Sequence, residues 1–394
     1  MFSSTGSYDG SFVNAVIHSL EFDWPAFPDL TSDPVPDSVS AGKNLWRCVN
    51  GGADIITQRM VAKIGQSKIL HNHRVTHIGH FKRLQIRDKS LGEGMRIGDI
   101  RVDDGIKIEA ETNGDVKVVK WYTHVITTTT LGCLQAIDTR YASLDNSHRE
   151  AFRTLGYAQA VKVGIKFKQR WWADDANLRI DKGGQGKTDR PTRVVVYPSY
   201  ALDTPAGSPG VLLACYNSGN DAARLGPIDK ELVYSQVIAD LAAMHGLAEQ
   251  TLRSLTLNYH VHNWYGDALA RGAWGAFGPG YYASLFGRLQ RPQAKGHLFF
   301  AGEATSIYPG WIAGSLNSAY RSVRQMLISE LYKLHLSRDK GNLTQITYLN
   351  RLLQILWRQW GTNKYEPAAP ETPFIQGTER WQLFLGIIGE DAGL

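Results

Sequence analysis

The sequence predicts an α/β fold of the α+β type, and three stretches carry this prediction. The first, residues 299–324, is a short apolar strand that breaks at glycine and then opens a helix. The second, residues 45–64, repeats this order with Gly51-Gly52 as its turn. The third, residues 83–121, alternates polar and apolar residues, which predicts a small antiparallel meander. Strand-to-glycine-to-helix junctions beside a separate meander indicate mixed helix and sheet.

The junction in residues 299–324 predicts a ligand-binding loop. Gly302 and Gly310 permit a close approach of the backbone to a ligand. The helix start that follows Gly310 aims unpaired N–H groups at one point, which favours an anion or an electron-rich oxygen. The apolar residues of this helix recur at helical spacing and predict one buried face: Leu316, Ala319, Tyr320, Val323, Met326, Leu327 and Leu331.

Length and composition are those of a globular protein with two or more domains. The chain has 394 residues, of which 43% are hydrophobic and 20% charged, with a net charge of +6. Lysine and arginine are dense in residues 59–107, but no nucleic-acid-reading motif accompanies them, so we expect no nucleic-acid partner. No apolar run reaches the length of a membrane span and no signal peptide is visible, which makes the cytoplasm the default expectation.

The candidates for metal or disulfide chemistry are weak. The three cysteines lie among apolar neighbours without CxxC spacing, which predicts buried core residues. Two His-x-His pairs lack a nearby acidic or cysteine third ligand. These residues are Cys48, Cys133, Cys215, His71, His73, His260 and His262. We therefore expect no metal site.

The wording of residues 299–324, FFAGEATSIYPGWIAGSLNSAYRSVR, resembles the C-terminal flavin-binding signature of the FAD-dependent amine oxidases. Within that superfamily it is most similar to the fungal L-amino acid oxidases. The resemblance implies FAD as cofactor, with five contacts in this stretch: Gly302, Glu303, Gly310, Trp311 and Ile312. It also implies that Glu303 serves the ribityl–pyrophosphate end, whereas Gly310 and Trp311 line the substrate side as well.

Two earlier segments share the resemblance. The turn Gly51-Gly52, which follows a tryptophan, is similar to a family turn that lies beside the flavin, although it also fits a turn made only for packing. The run ILHNHRVTHI resembles the family strand in which a valine contacts the adenine end of FAD through its backbone. Val75 is that valine here.

Three residues are candidates on the substrate side. From the residues alone, Lys162 fits a solvent-facing strand lysine, Tyr216 a core tyrosine and Trp264 a packing residue of a glycine-rich loop. The resemblance implies instead that Lys162 is catalytic and holds a water beside flavin N5. By the same resemblance, Tyr216 hydrogen-bonds the substrate carboxylate and Trp264 belongs to an aromatic substrate cage.

The resemblance lacks its beginning, because the strand–GxGxxG–helix that holds the FAD pyrophosphate is not found. We therefore expect a truncated family member, with an incomplete Rossmann-like FAD-binding domain and a mixed-sheet substrate-binding domain. The predicted segments are 1–40 (helical-lobe remnant and connector), 41–135 (FAD domain), 136–275 (substrate domain), 276–335 (FAD domain) and 336–394 (helical tail). We expect the tail to pack on the body or on a second subunit of a homo-oligomer.

The function that the resemblance implies is oxidative deamination of an L-amino acid by FAD and O2, giving a 2-oxo acid, ammonia and H2O2. Two alternatives stay open from the sequence. One is a polyamine or monoamine oxidase, which uses acidic or purely aromatic pocket residues for its amine. The other is a catalytically inactive fragment that is unable to hold FAD.

Overall fold

The structure, a computed structural model, describes residues 49–86, 100–112, 116–306, 308–336 and 343–360. The described residues form two compact units: unit 1 holds 49–70 and 157–273, and unit 2 holds 71–156 and 274–360. Helices and strands occur in both, which confirms the predicted fold class. Residues 1–48 and 361–394 lie outside the described residues, and the predicted segment 1–40 therefore lies outside them as well. The functional names of the predicted domains stay predictions.

The helices are α1 (Asp54–Ile64), α2 (Leu131–Leu134), α3 (Asn146–Thr154), α4 (Trp171–Asp174), α5 (Gly219–Leu225), α6 (Lys230–His245), α7 (Glu249–Leu255), α8 (Gly287–Leu289), α9 (Ile312–Leu336) and α10 (Leu343–Trp360). Single turns of 3₁₀-helix occupy Gln66–Lys68 and Glu303–Thr305, and one π-helical turn occupies Tyr282–Phe286. The strands are β1 (Arg74–Ile86), β2 (Ile100–Thr112), β3 (Val116–Tyr122), β4 (Val125–Thr127), β5 (Ala160–Phe167), β6 (Gly184–Lys187), β7 (Val194–Tyr197), β8 (Gly210–Ser218), β9 (Thr256–Asn263) and β10 (Leu298–Phe300).

Unit 1 is built on an antiparallel five-stranded sheet with the strand order β6-β7-β8-β5-β9. The interior strand β5 alternates from Val161 onward, and one of its faces is fully buried in the core: Val161, Val163, Ile165 and Phe167. Helix α6 contributes to that same core, for example through Val237 and Leu241. Because strand residues alternate between faces, Lys162 lies on the opposite face of the sheet.

Helix α6 has a favourable capping residue at each end. Asp229 is its N-cap, and the carboxylate accepts the N–H of Glu231 at 2.9 Å. At the other end Gly246 takes a left-handed conformation, with φ of 65°, and ends the helix without strain. The helix is therefore fixed in length beneath the sheet whose opposite face carries Lys162.

Unit 2 contains the predicted antiparallel meander, in the order β1-β2-β3. A second, parallel pair joins β10 to β4, with Phe299 opposite Ile126. The three residues of β10 are fully covered by the surrounding chain. This short buried strand delivers the chain to the glycine turn that the sequence singled out.

Helices α9 and α10 pack against each other in unit 2, mainly through Leu327, Leu331 and Leu353. The predicted buried face of α9 is confirmed for most of its length, but Ala319 is exposed. The prediction of burial is wrong for Ala319 because the buried stripe runs through Tyr320 and Leu327, one residue further round the helix. The helical tail is confirmed over residues 343–360, and within this range it packs on the body of unit 2. Among the helices of the described ranges, none combines the length and apolarity that crossing a bilayer requires.

Candidate functional site

The sheet of unit 1 places Lys162 beside Tyr216. The two residues are direct cross-strand partners on β5 and β8 and therefore share a face of the sheet. The Lys162 ammonium lies 4.7 Å from the centroid of the Tyr216 ring, within the range of a cation–π contact. Within the described part of the chain, no carboxylate forms an ion pair with Lys162.

Burial shifts the protonation equilibria of this pair in opposite senses. It lowers the pKa of Lys162, because removal from water disfavours the ammonium form. It raises the pKa of the Tyr216 phenol, because a phenolate is disfavoured for the same reason. Tyr216 is therefore held as a hydroxyl donor, whereas Lys162 can release its proton more readily than a surface lysine.

Trp264 lies directly after β9 and is fixed through its main chain. Its N–H donates to the carbonyl of Ala160 at 3.0 Å, and its carbonyl accepts the N–H of Gly272 at 3.0 Å. Gly272 has a φ of 142°, and a Cβ there would collide with the side chain of Tyr157. The hydrogen bond between Trp264 and Gly272 closes a loop, residues 264–272, and the bond to Ala160 fixes this loop to the edge of the sheet.

His262 extends the row that begins at Tyr216. It is the cross-strand partner of Lys162 on β9, and its ring meets the Trp264 ring edge to face, with centroids 4.3 Å apart. The sequence predicted that His262, as half of a His-x-His pair, has no acidic residue nearby, and this prediction was wrong. Asp267 lies 3.4 Å from it, because the loop folds back over five residues. Among the described residues, no cluster of three or more potential ligands could hold a metal ion.

In unit 2, the glycine turn after β10 takes the conformation that its sequence requires. Gly302 has a φ of 125°, and its N–H donates to the hydroxyl of Ser318 at 2.8 Å. Gly310 has a φ of 84°, and a Cβ at this position would lie 3.3 Å from Trp274. Side chains at either position would strain the backbone, so both glycines serve the geometry of the loop.

Glu303 connects two loops of unit 2. Its carboxylate accepts the N–H of Gly275 at 3.0 Å and the N–H of Gly310 at 2.9 Å. Burial raises the pKa of this carboxyl, although the backbone donors oppose that shift. In this structure the side chain therefore fixes the loop that precedes α9, which is a role that the sequence did not predict.

The start of α9 packs tightly on the segment before it. Trp311 is half-buried, and its carbonyl accepts the N–H of Ser315 at 3.2 Å. Ile312 is 50% exposed, so the outer side of the first turn is open to solvent. A Cβ on the buried Gly314 would approach the carbonyl of Tyr308 and the hydroxyl of Ser306 far inside 3.0 Å. Only glycine allows this packing.

Three side chains on α9 bind the helix to the end of β10, and sequence reasoning missed them. Ser322 donates to the carbonyl of Phe300 at 2.8 Å. Arg321 donates to the same carbonyl at 3.1 Å and to the Thr305 hydroxyl at 2.7 Å. Ser318 supplies the third link, through Gly302. The available signal was the spacing of these three polar residues, which places them on one face of the helix.

The remaining predicted contacts fall in different units. Gly51 and Gly52, in unit 1, have φ values of 88° and 94°, and space is open around a Cβ at Gly52. Val75, in unit 2, is paired with Ala110 beside an irregularity of the β1–β2 register. The predicted sharp turn is confirmed, whereas the contacts of these residues with FAD stay predictions.

The features of unit 2 fit the group that the sequence predicts. A helix start with an open first turn presents N–H donors and the positive end of the helix dipole. Gly310, just before it, is exposed, and α9 is bound to the end of β10 by Ser318, Arg321 and Ser322. Such a donor set suits the electron-rich edge of a flavin.

Comparison with known proteins agrees with this chemistry. Residues 37–327 match the sequence profile of the family described as flavin containing amine oxidoreductase. The chain is 33% identical over 336 residues to a putative bifunctional amine oxidase of Dictyostelium discoideum, covering 83% of this chain and 28% of that protein. It is also 33% identical over 338 residues to L-amino-acid oxidase 4 of Hebeloma cylindrosporum, covering 82% of this chain and 48% of that protein.

Solved structures are similar in fold. Cyclohexylamine oxidase from Brevibacterium oxydans superposes with a TM-score of 0.53 at 14% identity, covering 72% of this chain and 53% of that one. A redesigned putrescine oxidase gives a TM-score of 0.51 at 15% identity, covering 71% of this chain and 53% of that one. The chain spans less than half the length of the two curated relatives above, and about half the length of the two solved structures.

Proposed function

Because the chain belongs to the flavin containing amine oxidoreductase family, whose cofactor is FAD, we propose that it acts in the oxidative deamination of L-amino acids. The match with L-amino-acid oxidase 4 of Hebeloma cylindrosporum over 82% of this chain supports this substrate class. The products are a 2-oxo acid, ammonia and H2O2, with O2 and water as the co-substrates, since water hydrolyses the imine that oxidation forms.

The observation that carries the proposal is the Lys162–Tyr216 pair. A cation and a hydroxyl donor, 4.7 Å from ammonium to ring centroid, lie on one face of the unit 1 sheet. The Tyr216 hydroxyl favours a carboxylate, which an amino acid has and a simple amine lacks. The raised pKa of Tyr216 keeps its hydroxyl protonated and able to donate.

The chemistry that bound FAD supplies is removal of a hydride from the carbon that carries the amine, with O2 as the final oxidant. In unit 1, Tyr216 orients the substrate through its carboxylate, and Trp264 limits the space for the side chain. Lys162 holds a water molecule, and its lowered pKa makes exchange of a proton with that water easier than for a surface lysine.

In unit 2, the backbone prepares the flavin side. The N–H groups of the first turn of α9 would favour negative charge on a flavin bound there. Glu303 keeps the loop in place, because it binds the N–H groups of Gly275 and Gly310. Val75 would serve the adenine end of FAD through its backbone.

A substrate panel tests the proposal. The chain is incubated with FAD and either L-amino acids, their D-enantiomers, cyclohexylamine or putrescine, and H2O2 release is measured. Turnover of L-amino acids alone is the expected result, with Tyr216→Phe raising KM for them. Turnover of the amines alone would replace the proposal with an amine oxidase activity, and FAD-dependent turnover of none would refute an oxidase function.

A further inference from the structure

His262 has a buried polar atom that the proposed chemistry leaves unused. Its Nε2 is covered by the surrounding chain and has no hydrogen-bond partner in the described structure. Oδ2 of Asp267 lies 3.4 Å from it, which is ion-pair distance without hydrogen-bond geometry. A buried imidazole nitrogen beside a carboxylate indicates a pair that holds the ring in a fixed orientation.

The ring that this pair fixes is packed against Trp264. The imidazole and the indole meet at 73° with centroids 4.3 Å apart, a favourable edge-to-face arrangement. On its other side, the imidazole stacks on His260 at 6.0 Å and 22°. Trp264 is two residues after His262 on the same side of the chain, so rotation of the imidazole would free the indole to move.

Asp267 is itself held by the loop of residues 264–272. Its Oδ1 accepts the N–H of Leu269 at 2.7 Å, and its carbonyl accepts the N–H of Arg271 at 2.7 Å. Asn263 orders the first half of the loop, since its side-chain oxygen accepts the N–H groups of Tyr265 and Gly266. The carboxylate is therefore presented to His262 by a folded loop and not by a freely rotating side chain.

We infer that His262 is a positioning residue for Trp264. The Asp267 carboxylate, at ion-pair distance from Nε2, limits rotation of the imidazole, and the imidazole sets the angle of the indole. This inference rests on the proposed function for its catalytic meaning: Trp264 shapes the substrate space, and His262 sets that shape. Its structural content does not depend on FAD or on turnover.

Fluorine NMR of the chain labelled with 5-fluorotryptophan tests the structural content directly. The Trp264 resonance is assigned by its loss in Trp264→Phe. We expect the Trp264 resonance to be narrow in the unmodified chain. In His262→Ala it should be shifted, broadened or split, because the indole then samples several positions. Asp267→Asn keeps the bond to Leu269 but removes the charge beside Nε2, so we expect a change in the same direction.

Two variants serve as controls. His260→Ala removes a ring that touches His262 but no ring against Trp264, and it should leave the Trp264 resonance unchanged. His262→Phe restores an aromatic edge at the same place and should return a narrow resonance, which separates positioning from misfolding. An unchanged Trp264 resonance in His262→Ala, with the fold intact by circular dichroism, would overturn the inference.

Kinetics link the inference to the reaction. Where the chain oxidises L-amino acids, His262→Ala should raise KM about five- to tenfold with a smaller change in kcat, the effect expected from loss of one aromatic contact. A fall of kcat by about the same factor, with an unchanged KM, would contradict a positioning role. If no substrate is turned over, the proposed function fails, while the NMR result still decides the inference.

Discussion

Replacing Gly314 with alanine perturbs the junction on which the flavin side of the proposal depends. The added Cβ would press on the carbonyl of Tyr308 and the hydroxyl of Ser306. The serine can rotate away, but the carbonyl is backbone and cannot. The start of α9 must therefore shift away from the preceding segment.

The magnitude follows from two opposing effects. Overpacking against an unyielding backbone atom costs about 3 kcal/mol, the upper end of the usual range. Alanine in place of glycine within a helix recovers about 1 kcal/mol. We therefore expect a net loss of about 2 kcal/mol in the free energy of unfolding of unit 2. For a unit of this size that is a fall in Tm of about 4–8 °C.

Thermal unfolding and FAD affinity are measured together, with Gly287→Ala as the matched control. Gly287 opens the short helix α8 and has open space around a Cβ, so its replacement should change Tm by less than about 2 °C in either direction. Gly314→Ala should lower Tm and weaken FAD binding. Equal behaviour of the two variants would refute the reasoning, because the α9 start would then not be packed as described.

Further predictions concern the substrate pair and acid stability. Lys162→Met should slow the reaction with O2 or substrate on the order of 10²-fold without loss of FAD binding, whereas Lys166→Met on the same strand should not; equal rates for both variants would contradict the role. Tyr216→Phe should raise KM for L-amino acids about tenfold, which steady-state kinetics would check. A hydrogen bond from His124 is the largest cause that lowers the pKa of Glu330 to about 2, so folding stability that is present above the unfolded pKa, near 4.5, should be lost as pH falls towards 2. Glu330→Gln should flatten that part of the acid-unfolding profile, and an unchanged profile would rule out this contribution.

Local patterns sufficed to predict much of the fold. The strand that ends at Phe300, the turn at Gly302 and the helix after Gly310 all follow from neighbours in the chain, and the structure confirms each. The meander was equally readable, because alternation and turn residues are local properties. The exposure of Ala319 on α9 could not be predicted, because a stripe of small and large apolar residues does not define which residues lie at its edge.

The contacts of the candidate site were beyond such patterns. Resemblance singled out Lys162 and Tyr216 separately, but only strand register makes them partners, and register depends on non-local pairing. The same holds for the opposition of Lys162 and His262. Glu303 bonding to Gly275 likewise requires two distant loops to meet, which no spacing in the sequence records.

The measurement that tests the central claim most directly is the visible absorption spectrum of the purified chain after incubation with FAD and removal of unbound cofactor. A bound-flavin spectrum that is bleached under anaerobic conditions by an L-amino acid, and not by putrescine, is the predicted result. A chain that retains no flavin, or a bound flavin that only simple amines reduce, would contradict the account.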